Sequence, residues 1–409
     1  MVKPGYKQTE IGVIPKDWED KKLGDVGKVC MCKRIFADQT SDAGEIPFYK
    51  IGTFGKEADA YILRELYEDF KRRFSYPQKG DVLISAAGTL GRSVVFDGKD
   101  SYFQDSNIVW LDIDKEQLCN EYLYHYYKVI QWASSEGSTI ARLYNGIICN
   151  THIAVPEVDE QKKIATVLSE MDELIFLTEK QLSKKKALKQ GAMQELLTGK
   201  KRLPGFTGKW QNFNLMKHSK IKARIGWQGL KKSEYLDSGY ALLVTGTDFA
   251  DGNVQWDSCH YVTRERYDQD RNIQIQNNDI LITKDGSLGK AALVQGLTKP
   301  ATLNSGIFVI RPLQNAYDPV FVYHILSSFV FKDFLDKLSA GSTIIHLYQK
   351  DVGKFEFLLP PTIGEQKAIA EVLSEMDADI AALEEKLAKY RQVKQGMMQQ
   401  LLTGKIRLV

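Results

Sequence analysis

Cysteine is scarce and unpatterned in this chain. The five residues Cys30, Cys32, Cys119, Cys149 and Cys259 form no disulfide framework, and Cys30-Met31-Cys32 is tighter than the C-x2-C knuckle that holds zinc. A reducing, cytoplasmic compartment is therefore expected, with no metal site. No stretch approaches 18 consecutive apolar residues, and MVKPGYKQTEIG carries no apolar signal-peptide core, so neither a membrane span nor secretion is expected. Catalytic signatures are missing too. There is no GxxxxGK[ST] phosphate loop, no GxGxxG, no HExxH and no nucleophile elbow. Asp318-Pro319-Val320-Phe321 comes nearest to an NPPY or DPPY motif and lacks the second proline. Such a chain is expected to be non-catalytic and to position something else. Nor is there a surplus of one charge: 55 basic and 52 acidic side chains leave +3, which neither supports nor opposes a polyanionic partner.

What the chain does have is one long phrase written twice. Residues 160–172 read EQKKIATVLSEMD and residues 365–377 read EQKAIAEVLSEMD, 205 residues further on in a chain of 409. Each is followed by KQG-x-M-Q-x-LLTGK, at 189–200 and 394–405. A period this long excludes a solenoid and gives each half room for its own core. Weaker echoes surround these blocks. Trp18 matches Trp210, DVLISAAGTLGR (81–92) matches DILITKDGSLGK (279–290), QDSNIVWL (104–111) matches LNSGIFVI (303–310), and SEGSTIARLYN (135–145) matches SAGSTIIHLYQ (339–349). Residues 27–80 and 219–278 barely resemble each other. Two copies that share a frame but differ inside it are expected to read different things in the same way.

Each half divides again. Residues 1–158 and 206–363 mix short β-prone runs such as VLIS, NIVWLDI, DILIT and GIFVIR with glycine turns, and EYLYHYYKVIQWAS and VFVYHILSSFVFKDFLDKLS read as amphipathic helices. Residues 159–205 and 364–409 hold proline-free runs bounded by proline before and glycine after, the punctuation of long helices. Their apolar residues recur at steps of three and four, from Ile164 to Leu196 and from Ile369 to Leu401. The stripe suits pairing of the two helices. The expected fold is α+β: two mixed α/β domains separated by two long helices in an antiparallel coiled coil, with an internal pseudo-twofold repeat. The basic run Lys184-Lys185-Lys186, Lys189, Lys200-Lys201-Arg202 is either a solvated face or the border of a nucleic-acid channel or acidic partner.

GYKQTEIGVIPKDWEDKKLGDV, VPEVDEQKKIATVLSEMD, LPPTIGEQKAIAEVLSEMD and the doubled LLTGK resemble the specificity subunits of type I restriction-modification systems, over nearly the whole chain. The resemblance implies two target recognition domains, 1–158 and 206–363, each followed by a spacer helix. It implies that each domain reads one half of a split, asymmetric sequence in double-stranded DNA, with helix length fixing the gap. Two methyltransferase subunits and two restriction-translocase subunits are the implied partners. They, not this chain, would use S-adenosylmethionine, ATP and magnesium, and no cofactor is expected here. The first helix follows VPEVDEQ where LPPTIGEQ is the more typical entry.

DNA contacts are expected from cations of the variable segments and the hairpins that follow them: Lys33, Arg34, Lys50, Arg72, Arg73 and Arg92 in the first domain, and Lys222, Arg224, Arg264, Arg266, Lys284 and Lys290 in the second. Arg92 and Lys290 are matched after AAGTLG and KDGSLG, where the alternative is a tight hairpin with a solvent-facing cation. Ser85, Thr89, Thr245, Thr283 and Ser287 are candidate hydroxyls for phosphates, and Tyr49 and Tyr240 are either stacking or core residues. Methyltransferase docking is expected at residues repeated on the helices: Glu160, Gln161, Asp172, Gln190 and Lys200, with Glu365, Gln366, Asp377, Gln395 and Lys405.

Overall fold

The computed structural model describes residues 2–132, 142–339 and 346–409. It divides into two compact units, Met1–Glu179 with Glu385–Val409, and Lys180–Glu384. The division cuts through both long helices, Val158–Leu196 and Ile363–Leu401. At 1.5 Å per residue each spans about 58 Å. Both run unbroken through Gly191 and Gly396.

In the first unit an antiparallel sheet runs Gly27–Cys30, Ile108–Ile113, Val82–Ser85, Ser93–Val95. A smaller sheet joins Tyr61–Ile62, Ile46–Tyr49 and Tyr102–Phe103, the last two in parallel. Val82–Ser85 is buried on both faces, which is why it reads as an uninterrupted apolar run rather than an alternating one. The second unit repeats this frame on a larger scale. Ser219–Ala223, Ile307–Pro312, Ile280–Thr283 and Ala291–Leu293 are extended by Asn253–Val254 and Phe249–Ala250, and a second sheet holds His260–Val262, Ala241–Val244 and Ala301–Leu303. Both units are α/β with mixed sheets.

Each core takes in the start of one long helix and the end of the other. Ile164, Ala165, Leu168, Leu401 and Leu402 pack with Trp18, Val109 and Tyr122 in the first unit. Ile369, Ala370, Leu373, Leu196 and Leu197 pack with Trp210, Phe308 and Phe321 in the second. The doubled LLTGK thereby acquires a physical meaning. Its leucines enter the core, and Gly199 and Gly404 turn the chain with φ of +70° and +67°. Lys201 N–H returns to Glu195 O at 3.2 Å, and Ile406 N–H to Gln400 O at 3.2 Å, closing the same left-handed cap at both helix ends.

Two helix expectations are corrected. Among its described residues, the run from Glu121 is helical only over Asn120–Tyr127. The run from Val320 is two helices, Pro319–Leu326 and Phe329–Ser339, because the Ser328 hydroxyl bonds Ile325 O at 2.6 Å and accepts from Val330 N–H at 3.1 Å, replacing the ladder there. Of the matched blocks SEGSTIARLYN and SAGSTIIHLYQ, only Arg142–Asn145, Ser339 and His346–Gln349 lie among the described residues.

Candidate nucleic-acid interface

The glycine hairpins form nearly identical turns in both units. Ser85 Oγ accepts from Arg92 N–H at 2.9 Å and bonds Thr89 O, while Thr283 Oγ1 accepts from Lys290 N–H at 2.9 Å and bonds Ser287 O. The matched cations also fold inward. Arg92 Nη1 donates to Phe54 O at 3.1 Å, and Lys290 Nζ donates to Phe249 O. The hydroxyls expected to meet phosphates, Ser85 and Thr283, are therefore occupied within the turn. Thr245 is likewise bonded to Asp248.

The other cations divide into paired and open sets. In the first unit Arg34 pairs with Asp105 at 2.9 Å, Lys50 with Asp59 at 2.9 Å, and Arg72 and Arg73 with Asp69 at 3.1 and 2.8 Å. Lys33 and Arg73 converge on the Phe74 ring, 5.2 and 5.3 Å from its centre. In the second unit Arg266 pairs with Glu234, and Arg264 with Asp268 at 3.5 Å while lying over Tyr240. Such exposed pairs are weak and can be exchanged for phosphate. Lys222 and Lys284 make no ion pair among the described residues. With Arg224, His346 and Tyr348 they line a recess of about 430 Å³. Arg224 is a correction: it is 1% exposed, donating from Nε to Leu303 O at 2.8 Å and from Nη2 to Thr302 Oγ1 at 3.2 Å, so it does not present a surface contact. Burial lowers its pKa and the nearby Arg266 adds to this. Lys290 instead lines a larger cleft of about 1330 Å³, with Lys189 and Lys332 facing Asp251, Asp336 and Asp377.

The docking expectations are corrected at four positions. Glu160 and Gln161, Glu365 and Gln366 are buried clamps, not surface. Glu160 receives Trp18 Nε1 at 3.0 Å, Arg407 Nε and Nη2 at 2.8 Å each, and Leu408 N–H at 3.2 Å. Burial pushes its pKa up, but these bonds from Arg407, Trp18 and Leu408 prevail and hold it below the usual glutamate value. Glu365 repeats the arrangement with Arg202 and Trp210. Gln161 accepts from Cys119 N–H at 2.9 Å and donates to Pro156 O at 2.8 Å; Gln366 accepts from Asp318 N–H at 2.8 Å and donates to Pro360 O at 3.1 Å. Each Glu-Gln pair therefore ties the start of one long helix to its domain and, through arginine, to the tail of the other.

Between these clamps the helices exchange ion pairs. Asp172 meets Lys394 and Glu179 meets Arg391 in the first unit; Lys189 meets Asp377, Lys185 meets Asp379 and Lys186 meets Glu384 in the second. From Asp172 to Glu179 the partner falls from Lys394 to Arg391, and from Lys186 to Lys189 it falls from Glu384 to Asp377, so the paired stretches run antiparallel within each unit. The basic run is thus largely a helix-pairing face. Gln190, Gln395, Lys200 and Lys405 remain exposed.

One matched pair escaped the sequence reading. His125 and His324 are both buried and bond Ser169 Oγ at 2.9 Å and Ser374 Oγ at 3.1 Å on the long helices. Burial, then nearby lysines, drives their pKa values down to about 4 and about 3. The repeated Tyr-His at 124–125 and 323–324 was the available signal.

Among the described residues no cluster of His, Cys, Asp or Glu has the shape of a metal site, and no helix is long and apolar enough to cross a membrane. The fold thus defines a protein of two α/β units built on a repeated frame, whose candidate cations are differently disposed in each. A family model described as "Type I restriction modification DNA specificity domain" matches it twice, at residues 15–186 and 221–392. The chain belongs to this family: it is a specificity subunit, a non-catalytic DNA-recognition component. A putative type I restriction enzyme specificity subunit of Haemophilus influenzae is 56% identical over 153 residues, which are 37% of this chain and 40% of that protein. The putative MjaX specificity subunit of Methanocaldococcus jannaschii is 25% identical over 98% of this chain and 97% of its own length. The crystal structure of the type I S subunit from M. genitalium shares the fold, with a TM-score of 0.64, 15% identity and 98% coverage of both chains. A chain from a study of complex assembly and conformational transition of the type I system gives 0.55 at 16% identity, covering 96% of this chain and 99% of that one.

Proposed function

We propose that this chain reads a bipartite, asymmetric target in double-stranded DNA, one part per domain, for a type I restriction-modification complex. The long helices form an antiparallel coiled-coil spacer with pseudo-twofold symmetry and set the gap between the parts. Two methyltransferase subunits dock on the repeated helix faces around Gln190, Gln395, Lys200 and Lys405, and two restriction-translocase subunits complete the assembly in the cytoplasm. S-adenosylmethionine, ATP and magnesium belong to those partners. The observation that carries this reading is the contrast between repeated clamps and unrepeated faces. Glu160, Trp18 and Arg407 recur as Glu365, Trp210 and Arg202, whereas the cations of residues 27–80 and 219–278 do not correspond. The same scaffold is kept twice and its reading surface is not.

The test is methylation mapping in cells that express the chain with its cognate methyltransferase, against cells lacking the chain. A split motif methylated only in its presence is the expected outcome. No difference, with the complex confirmed by co-purification, would refute the reading.

A further inference from the structure

The duplicated halves can be matched by their own backbone pairings. Leu143 N–H bonds Ala86 O and Leu347 N–H bonds Lys284 O, both at 2.8 Å, while bridges join Ala87 to Arg142 and Asp285 to His346. The edge strands align in the same way, with Cys30 opposite Trp110 and Lys222 opposite Val309. These pairings define one common locus in each domain, beside the glycine hairpin.

At this locus one side chain is retained and its neighbours are exchanged. Tyr144 and Tyr348 occupy the same place and are each 55% exposed. A tyrosine offers a flat apolar body and a polar tip, and standing in water at the same point of both copies it serves no core. Around it Arg142 becomes His346, Ala86 becomes Lys284 and Cys30 becomes Lys222. In the second domain the His346 ring lies 4.6 Å from that of Tyr348, and Gln349 Nε2 ties the segment to Ile221 O at 3.2 Å. The recess there is edged by Lys222 and Lys284, and the guanidinium of Arg224 beneath it makes no ion pair among the described residues. Its Nη1 is buried with no hydrogen-bond partner. Asp270 also lines the recess and, with Glu234, partly offsets the Arg224 charge, but a buried guanidinium with one unbonded nitrogen and no ion pair, under two lysines that also make none, still favours an electron-rich ligand. The first-domain locus is less basic: Arg142 donates to Asn107 Oδ1 at 2.9 Å, and Cys30 and Ala86 stand at the register positions that Lys222 and Lys284 take in the second.

We propose that this locus is where each domain meets DNA bases. Tyr144 and Tyr348 are the shared anchors that pack on a nucleotide, and the exchanged neighbours choose its sequence: Arg142 in the first domain, and Lys222, Lys284 and His346 in the second. Lysine and arginine donate to guanine O6 and N7, and aromatic packing on a base tolerates any sequence. The inference rests on the DNA-reading function proposed above and adds which surface reads and why the two halves differ.

Methylation mapping of Lys222→Ala/Lys284→Ala and of Tyr348→Ala, each co-expressed with the methyltransferase, tests it. Binding to a duplex carrying the wild-type motif is measured alongside. The double lysine variant should relax one part of the motif and leave the other intact. Tyr348→Ala should weaken binding roughly tenfold or more, with recovery in Tyr348→Phe. The three side chains changed are at least partly exposed, and co-purification with the methyltransferase reports that each variant folds. A wild-type motif kept unchanged in both parts by the lysine variant, with Tyr348→Ala binding as tightly as wild type, overturns this inference alone. No chain-dependent motif with the wild type overturns the function reading and this inference together.

Discussion

Two kinds of buried ionisable residue hold each unit together, and acid affects both in the same direction. His125 and His324 titrate near 4 and 3 in the folded protein against an ordinary 6.5. Below pH 6.5 the unfolded chain takes up protons that the folded one refuses, so folded stability drops by up to about 1.4 kcal/mol per pH unit for each histidine until the folded value is reached. His125 faces Lys128, Lys394 and Asp172, and His324 faces Lys189, so the lysines add to the cost of protonation. Urea titrations at pH 7, 6 and 5 should show wild type losing stability faster than a His125→Gln/His324→Gln variant; parallel losses would contradict this. Glu160 acts over a lower window. Its depressed carboxyl contributes stability above the usual glutamate value, and that contribution disappears as pH falls through the folded value. Glu160→Ala leaves Arg407 and the Trp18 indole N–H without their acceptor and should destabilise by about 3 kcal/mol at pH 7, as thermal melts can show. The carboxylates were visible in the sequence as a repeated Glu-Gln, but their burial was not. An acid in the first turn of a helix reads equally well as an exposed dipole partner, and only the tails carrying Arg202 and Arg407, distant in sequence, turn it into a clamp.

At the scale of the element, four glycines on the long helices divide into two opposite expectations. Gly191 and Gly396 lie mid-helix, and an added methyl group would meet nothing within 4 Å. Alanine there should stabilise by roughly 0.5–1 kcal/mol each, since glycine gives up more chain freedom on folding. Gly199 and Gly404 sit in the left-handed region at the helix ends. A methyl group at Gly199 would lie 3.1 Å from the Trp210 ring, and one at Gly404 would press into Pro15. Alanine should destabilise at both, by about 1–2 kcal/mol at Gly199 and more at Gly404. Melting temperatures of the four single variants check both signs. Helix ends of this kind were legible because proline, glycine and apolar spacing are local signals. Arg224 was not. Its strand neighbours Lys220 and Lys222 point outward, and nothing local reveals that the chain turns its guanidinium in toward Thr302 and Leu303. The lysine run was ambiguous for a related reason, since its partners Asp377, Asp379 and Glu384 lie nearly 200 residues away.

For the whole molecule, the repeat matters through where the helices begin and end. Each long helix starts in one compact unit and finishes in the other. The clamps at Glu160 and Glu365 hold a start against a tail, and the ion pairs between them keep the two helices in register. Under the proposed function, helix length becomes a ruler for DNA. Seven extra residues, two helical turns, add about 10.5 Å to a helix. At roughly 3.4 Å per base pair that is close to three base pairs. The insertion has to be made in both helices together. Lengthening one alone would shift Asp172 from Lys394 or Lys189 from Asp377 and leave charged groups mismatched along the seam. A paired insertion of one heptad near residues 180 and 385 should therefore leave both recognised parts of the motif unchanged and widen the unspecified gap by about three positions, read by methylation mapping. A single insertion should instead lower complex yield and methylation together. An unchanged gap after the paired insertion, with methylation intact, would mean that the spacing is set elsewhere than by these helices.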